Sequence, residues 1–174
     1  MIISVAEVKQ LIDFKGWSDQ KLERKLKAIE TFIRKHTNNN FQDVDIRRTA
    51  DIVGGLLVVD ALTPFDVGDT VQISETALNK GLFTVVAVDD STFTLKEAVK
   101  DERDVLVTKI HYPADVVDCC VNLLEWEINN RAKVGVKSET LSRHSITYED
   151  SATMVEGYPK SLLGCLKAYR KCRC

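Results

Sequence analysis

Proline is scarce in this chain, with 3 in 174 residues, and glycine is limited to 8. Collagen-like and low-complexity architectures need these residues in bulk and are excluded. No apolar run approaches the ~20 residues of a membrane-spanning helix, and the opening MIISVAEVKQ carries Glu7 and Lys9 where a secretory signal would be uninterrupted apolar sequence. The expectation is a protein made and kept in a cytoplasm, without a membrane partner. Cysteine is few and odd in number: Cys119 and Cys120 are adjacent, and Cys165, Cys172 and Cys174 crowd the C-terminus. An extracellular disulfide framework would be even and spaced. An excess of one charge sign is also lacking, since 24 Lys+Arg against 26 Asp+Glu leave a formal net charge of -2. Nothing in the overall charge draws the chain to nucleic acid or to an anionic membrane.

Signatures of catalysis are equally thin. His36, His111 and His144 lie in three separate segments, none within a turn of a cysteine, and no HExxH, CxxC, GxSxG or Walker pattern occurs. The expectation is no enzyme, no metal and no cofactor. Gly54-Gly55 and Gly68 precede no helix with a correctly spaced lysine, so they read as strand-bend and turn glycines rather than a phosphate loop. Asp89-Asp90 and Asp101-Glu102 fall at turn tips as solvated acids. Cys119 and Cys120 read as small buried hydrophobes of a helix. Cys172 and Cys174 flank Arg173, which would lower a thiol pKa, yet a pair at the chain end reads as incidental.

What is present is a core. With 44% apolar and 29% charged residues, a chain of this length buries about two-thirds of its unfolded surface as one domain, or as one domain with an insert. Ser4 with Glu7 forms a capping box for a short helix carrying Val5, Val8, Leu11 and Ile12, which ends at Phe14-Lys15-Gly16. Ser18 opens a longer helix with Leu22, Leu26, Ile29, Phe32 and Ile33 in one stripe, stopped by Thr37 and Asn38-Asn39-Asn40. From about Asp51 to His111 the period falls toward 2, predicting strands near 51–59, 70–74, 82–88, 92–96 and 105–111. Residues 48–112 are also the acidic part, with 6 basic and 11 acidic side chains against 9 and 7 in residues 1–47 and 9 and 8 in residues 113–174. Pro113 and Asp115 start a third helix running to about Ala132 and closed by Gly135, apolar around most of its girth. Residues 143–149 suggest one more strand, and Pro159 begins a final helix. The predicted fold is α+β: a small bundle of about four helices (1–47 and 113–174) with an inserted five-stranded barrel or rolled sheet (48–112) whose ends lie close together, and a basic arm over 157–174.

The terminal arm is the least ordinary segment. Lys160, Lys167, Arg170, Lys171 and Arg173 occur with no acidic residue among them, interleaved with Leu162, Leu163, Leu166 and Tyr169. It reads either as a closing helix whose cations complement the helix dipole, or as a basic amphipathic element for an acidic partner or nucleic acid.

The order of these segments resembles the head-to-tail connector (head completion or adaptor) proteins of tailed bacteriophages and prophages. The resemblance rests on Phe14-Lys15-Gly16-Trp17-Ser18, Lys35 to Phe41, Pro113-Ala114-Asp115-Val116, Asn129-Asn130-Arg131, Ser145-Ile146-Thr147-Tyr148 and Gly157-Tyr158-Pro159-Lys160-Ser161. It covers about residues 1–47 and 113–174. It implies a structural virion protein at the head–tail junction, assembled in the host bacterial cytoplasm, with no catalysis. It further implies a ring, typically of twelve copies, beneath the portal, touching neighbouring copies, a tail completion or stopper protein, and passing DNA without sequence specificity. The portal or subunit contacts would then fall on Tyr158, Pro159, Lys160, Leu162, Leu163, Leu166, Lys167, Tyr169, Arg170, Lys171 and Arg173, on an arm that could be removed without unfolding the helices. The opening Phe65 to Val71 of the insert also looks like that of SH3-like barrels in nucleic-acid or ribosome-associated proteins, an alternative that its acidity opposes.

Overall fold

The computed structural model describes residues 1–130, 138–141, 144–147 and 154–172. Its elements divide between two compact units, Asn40–Tyr112 with Met1, and Ile2–Asn39 with Pro113 onward. The protein is mixed α and β, as the periodicities imply.

In the helical unit, α1 (Val5–Leu11) is opened by the expected capping box: the Glu7 amide donates to Ser4 Oγ at 3.2 Å, and the Ser4 amide donates to Glu7 Oε2 at 2.9 Å. Ser18 caps α2 (Asp19–Thr37), which buries Leu22, Leu26, Ile29 and Ile33 and ends at Asn38, a left-handed residue with φ of 49°. Asparagine tolerates that conformation better than most side chains. In α3 (Ala114–Asn130) the buried set is Val116, Cys119, Cys120, Val121, Leu123, Leu124 and Glu127, which spans much of the circumference. Its neighbours include α2 and the terminal helix, so the apolar girth is covered within the unit. The expected continuation to Ala132 and Gly135 lies outside the described residues. Four short strands follow in two hairpins: Ser138–Leu141 (β7) with His144–Thr147 (β8), and Met154–Val155 (β9) with Tyr158–Pro159 (β10). The strand expected over 143–149 is thus β8, its flanks lying outside the described residues.

The barrel unit begins before residue 48. Six strands, β1 (Gln42–Val53), β2 (Leu56–Val59), β3 (Thr70–Ser74), β4 (Gly81–Val88), β5 (Thr92–Leu95) and β6 (Glu102–Ile110), close into an antiparallel barrel in the order β1-β2-β5-β4-β3-β6. The count is six rather than five because the segment 51–59 is a hairpin: Gly54 and Gly55 take φ of 58° and 84°, the two positive values that a tight two-residue turn requires. Inward residues from all six strands, among them Ile52, Leu57, Val71, Val85, Phe93 and Val107, form one apolar core, joined by Phe65 packed 5.0 Å from the Phe93 ring. Closure leaves no edge strand to pair with another chain. The two ends of the unit meet, since the His111 amide donates to the Phe41 carbonyl at 2.9 Å and the Phe41 and Tyr112 rings lie 5.1 Å apart.

One carboxylate organises the loop after β3. Glu102 accepts from the Thr76 hydroxyl, from the Ala77 and Leu78 amides at 2.7 and 3.3 Å, and from Asn79 Nδ2 at 2.9 Å. These donors, the Thr76 hydroxyl foremost, hold its pKa below the ordinary 4.5. A lowered folded-state value means that this stabilisation is complete above 4.5 and is lost as pH falls through the lowered value. In Glu102→Gln the Ala77 and Leu78 amides should exchange hydrogen roughly tenfold faster than in the wild type at neutral pH. The two proteins should converge in acid. Equal exchange at neutral pH would show that the loop is held by something else.

Candidate interaction surface

The terminal segment is built from the inside outward. After the turn at Glu156 and Gly157, both at positive φ, Pro159 directs the chain into a helix over Lys160–Tyr169 wound as a 3-10 helix. With three residues per turn, Leu163, Leu166 and Tyr169 share one face. Leu163 is 5% exposed and Leu166 0%. An α-helical reading puts Leu162 on that side as well, but it is only half-buried.

Tyr158 anchors the entry. Its ring packs 4.9 Å from Phe32 of α2 and 5.6 Å from Trp126 of α3, and its hydroxyl donates to Glu127 Oε1 at 2.9 Å. Glu127 is 2% exposed, and its other oxygen accepts from Lys25 Nζ at 2.9 Å. A buried carboxylate is retained only with such partners, because an isolated charge is expelled from an apolar interior.

The exit is held by α2. The Lys171 amide donates to the Thr37 carbonyl at 2.8 Å, Asn38 Nδ2 donates to the Cys172 carbonyl at 3.0 Å, and Asn39 Nδ2 donates to the Tyr169 carbonyl at 3.2 Å. The Tyr169 hydroxyl donates to both carboxylate oxygens of Asp115, at 2.8 and 2.9 Å, which raises the phenol pKa. The asparagines read in sequence as a helix stop therefore also tie down the chain terminus. Glu127, Lys25 and Tyr158 form a further group whose sequence signal is faint: a single acid on an otherwise apolar helix face.

The sequence-expected contact residues thus separate into two sets. Tyr158, Pro159, Leu163 and Leu166 are buried in the chain's own helical unit, and Leu162 and Tyr169 are half-buried. They are core, so the arm is not a detachable appendage. Lys160, Lys167, Arg170 and Lys171 are exposed, while Arg173 lies outside the described residues. The 169–172 backbone is bonded to the end of α2, whose last turn contains Arg34 and Lys35, so Arg170 and Lys171 follow that turn closely.

Elsewhere the candidate chemistry is spent on structure. The open depression beside the β1–β2 hairpin, lined by Gly54, Gly55 and residues 95–101, has Asp101 accepting from the Gly54 amide at 2.8 Å, and the nearby Glu97 accepts from the Thr84 amide at 3.0 Å. His36 stacks on Phe32 at 5.5 Å. Among the described residues no group of three or more His, Cys, Asp or Glu is arranged to hold a metal ion. No described helix is long and apolar enough to cross a membrane. Burial raises the pKa of both thiols of the α3 pair, Cys120 to about 12, which suits their expected packing role. Cys172 is exposed and Cys174 lies outside the described residues. No protein-family model matches the chain, and no curated protein shows significant similarity to it.

Proposed function

We propose that this chain is a structural virion protein of a tailed phage or prophage, a ring subunit beneath the portal that joins head to tail and extends the DNA channel. The observation that carries the reading is one helical unit assembled from two chain segments, interrupted by a barrel whose two ends are tied together, and finished by a segment that presents cations to solvent. Charge distribution supports it further. Residues 40–112 hold 7 basic and 13 acidic side chains, whereas 2–39 with 113–174 hold 17 and 13. Two surfaces of opposite sign suit head-to-tail contacts between neighbouring copies, the kind that close into a ring such as a dodecamer. The acidic barrel then belongs on the outside and the helices toward the passing DNA, which they meet without sequence specificity. The same acidity weighs against the SH3-like nucleic-acid reading of the barrel. Partners on this proposal are the portal, neighbouring copies and a tail completion or stopper protein, at the head–tail junction of the virion after assembly in the host cytoplasm.

With Leu163 and Leu166 committed to its own core, the terminal segment attaches to the portal through Lys167, Arg170 and Lys171. Purified protein mixed with portal rings should decorate them in electron micrographs. Reversing these three charges should weaken attachment on the order of tenfold at low salt and much less at high salt, because exposed charge pairs are screened over roughly 10 Å at 0.1 M. Rings left bare by the wild-type protein at every salt concentration would defeat the proposal.

A further inference from the structure

Cys119 on α3 and Cys165 on the terminal helix address the same acceptor. The Cys119 thiol donates to the Leu162 carbonyl at 3.4 Å and the Cys165 thiol donates to the same oxygen at 3.5 Å. They also act on each other, for after burial the neighbouring Cys165 thiol is the largest cause of the raised Cys119 pKa. Cys120 is different: its pKa answers to burial and to the charge of Glu30, with no contribution from Cys165. Cys172 lies further along, its carbonyl held by Asn38. One pair of sulfurs is therefore brought together across two elements that also share packing and hydrogen bonds.

We infer that Cys119 and Cys165 form a latent disulfide, closed by a small-molecule disulfide oxidant, that fastens the terminal helix to α3. Cys165 is half-buried and Cys119 is 2% exposed, so the order of events is set by access. The Cys165 thiolate attacks one sulfur of the oxidant, forming a mixed disulfide and releasing one thiol. Cys119, losing its proton to solvent, then attacks Cys165 Sγ and displaces the second thiol. The protein loses two hydrogens and the oxidant is reduced to two thiols. Closing depends on the Cys119 thiolate, which burial disfavours, so the second step is slow at neutral pH and accelerates about tenfold per pH unit. The inference stands on thiol placement and is independent of the connector reading: a chain that forms this bond and ignores portal rings keeps the one and loses the other.

The test uses the full chain incubated with glutathione disulfide at pH 7, 8 and 9, quenched by acid and alkylation, and read by intact mass and peptide mapping. The expected result is a product lighter by two hydrogens, a single Cys119–Cys165 cross-link, a rate rising with pH, and a thermal midpoint raised by roughly 5 °C or more that dithiothreitol reverses. Cys165→Ala should fold with unchanged circular dichroism and lose both the cross-link and the shift, while Cys172→Ser should keep them. Arrest at a stable glutathione adduct on Cys165, or a cross-link that joins any other cysteine, overturns the inference.

Discussion

Cutting the chain after Gly157 unfolds the helical unit and leaves the barrel folded. The removed segment supplies Tyr158, Leu163 and Leu166, at 8%, 5% and 0% exposure, to the core shared with α2 and α3. Losing one such side chain costs about 2 to 5 kcal/mol. Losing all three together rivals the whole stability of a small domain, about 5 to 15 kcal/mol. The barrel has its own closed core and shares none of these residues. Hydrogen exchange read by mass spectrometry should show α2 and α3 unprotected in the truncated protein and β1 to β6 protected as before. Protection retained in both helices would place the terminal segment outside the core. The single substitution Leu166→Ala, which leaves the tail in place, should cost about 2 to 5 kcal/mol on the same unit.

Replacing Glu127 with alanine should destabilise the helical unit by about 3 kcal/mol in urea unfolding. Breaking a buried ion pair by removing one partner costs about 3 to 5 kcal/mol, because the survivor stays desolvated. Here the lower end applies: Lys25 is 30% exposed and its ammonium can rehydrate, so the lost hydrogen bond from the Tyr158 hydroxyl is the main penalty. Since the penalty belongs to unpaired groups, removing both partners should undo most of it. The double variant Glu127→Leu with Tyr158→Phe should be more stable than Glu127→Ala by about 2 kcal/mol. A double variant no better than Glu127→Ala would assign the loss to packing instead.

Local signals were legible wherever chemistry acts within a few residues. Ser4 with Glu7 and Ser18 marked true helix starts, because a cap is decided by one side chain and the next turn of backbone. Strand β3 fell at residues 70–74 because Val71 and Ile73 alternate cleanly with polar neighbours. The start of β1 was hidden for the opposite reason. Asp43, Asp45, Arg47 and Arg48 interrupt the apolar period, yet Gln42 and Arg47 pair with Ile110 and Thr108 of β6, a partnership some sixty residues away. In sequence Gly54-Gly55 looks like a bend within one strand, yet it satisfies the demands of a hairpin turn, and that turn accounts for the sixth strand. In the terminal segment the charges were visible and the burial was not. Leucines spaced for an amphipathic helix look alike whether their partner is another protein or the chain's own α2 and α3.

The bonded ends of the barrel bear on the order in which the chain comes together. Closing a flexible loop as long as the barrel segment costs about 2 to 3 kcal/mol more than closing a tight turn. Once the Phe41 carbonyl holds the His111 amide, α2 and α3 meet as if joined by a short connector, and that penalty has already been met by the barrel's own folding. On a ribosome, α1 and α2 emerge before the barrel and before α3. The barrel, complete as soon as β6 returns to β1, is then the step that delivers α3 to them.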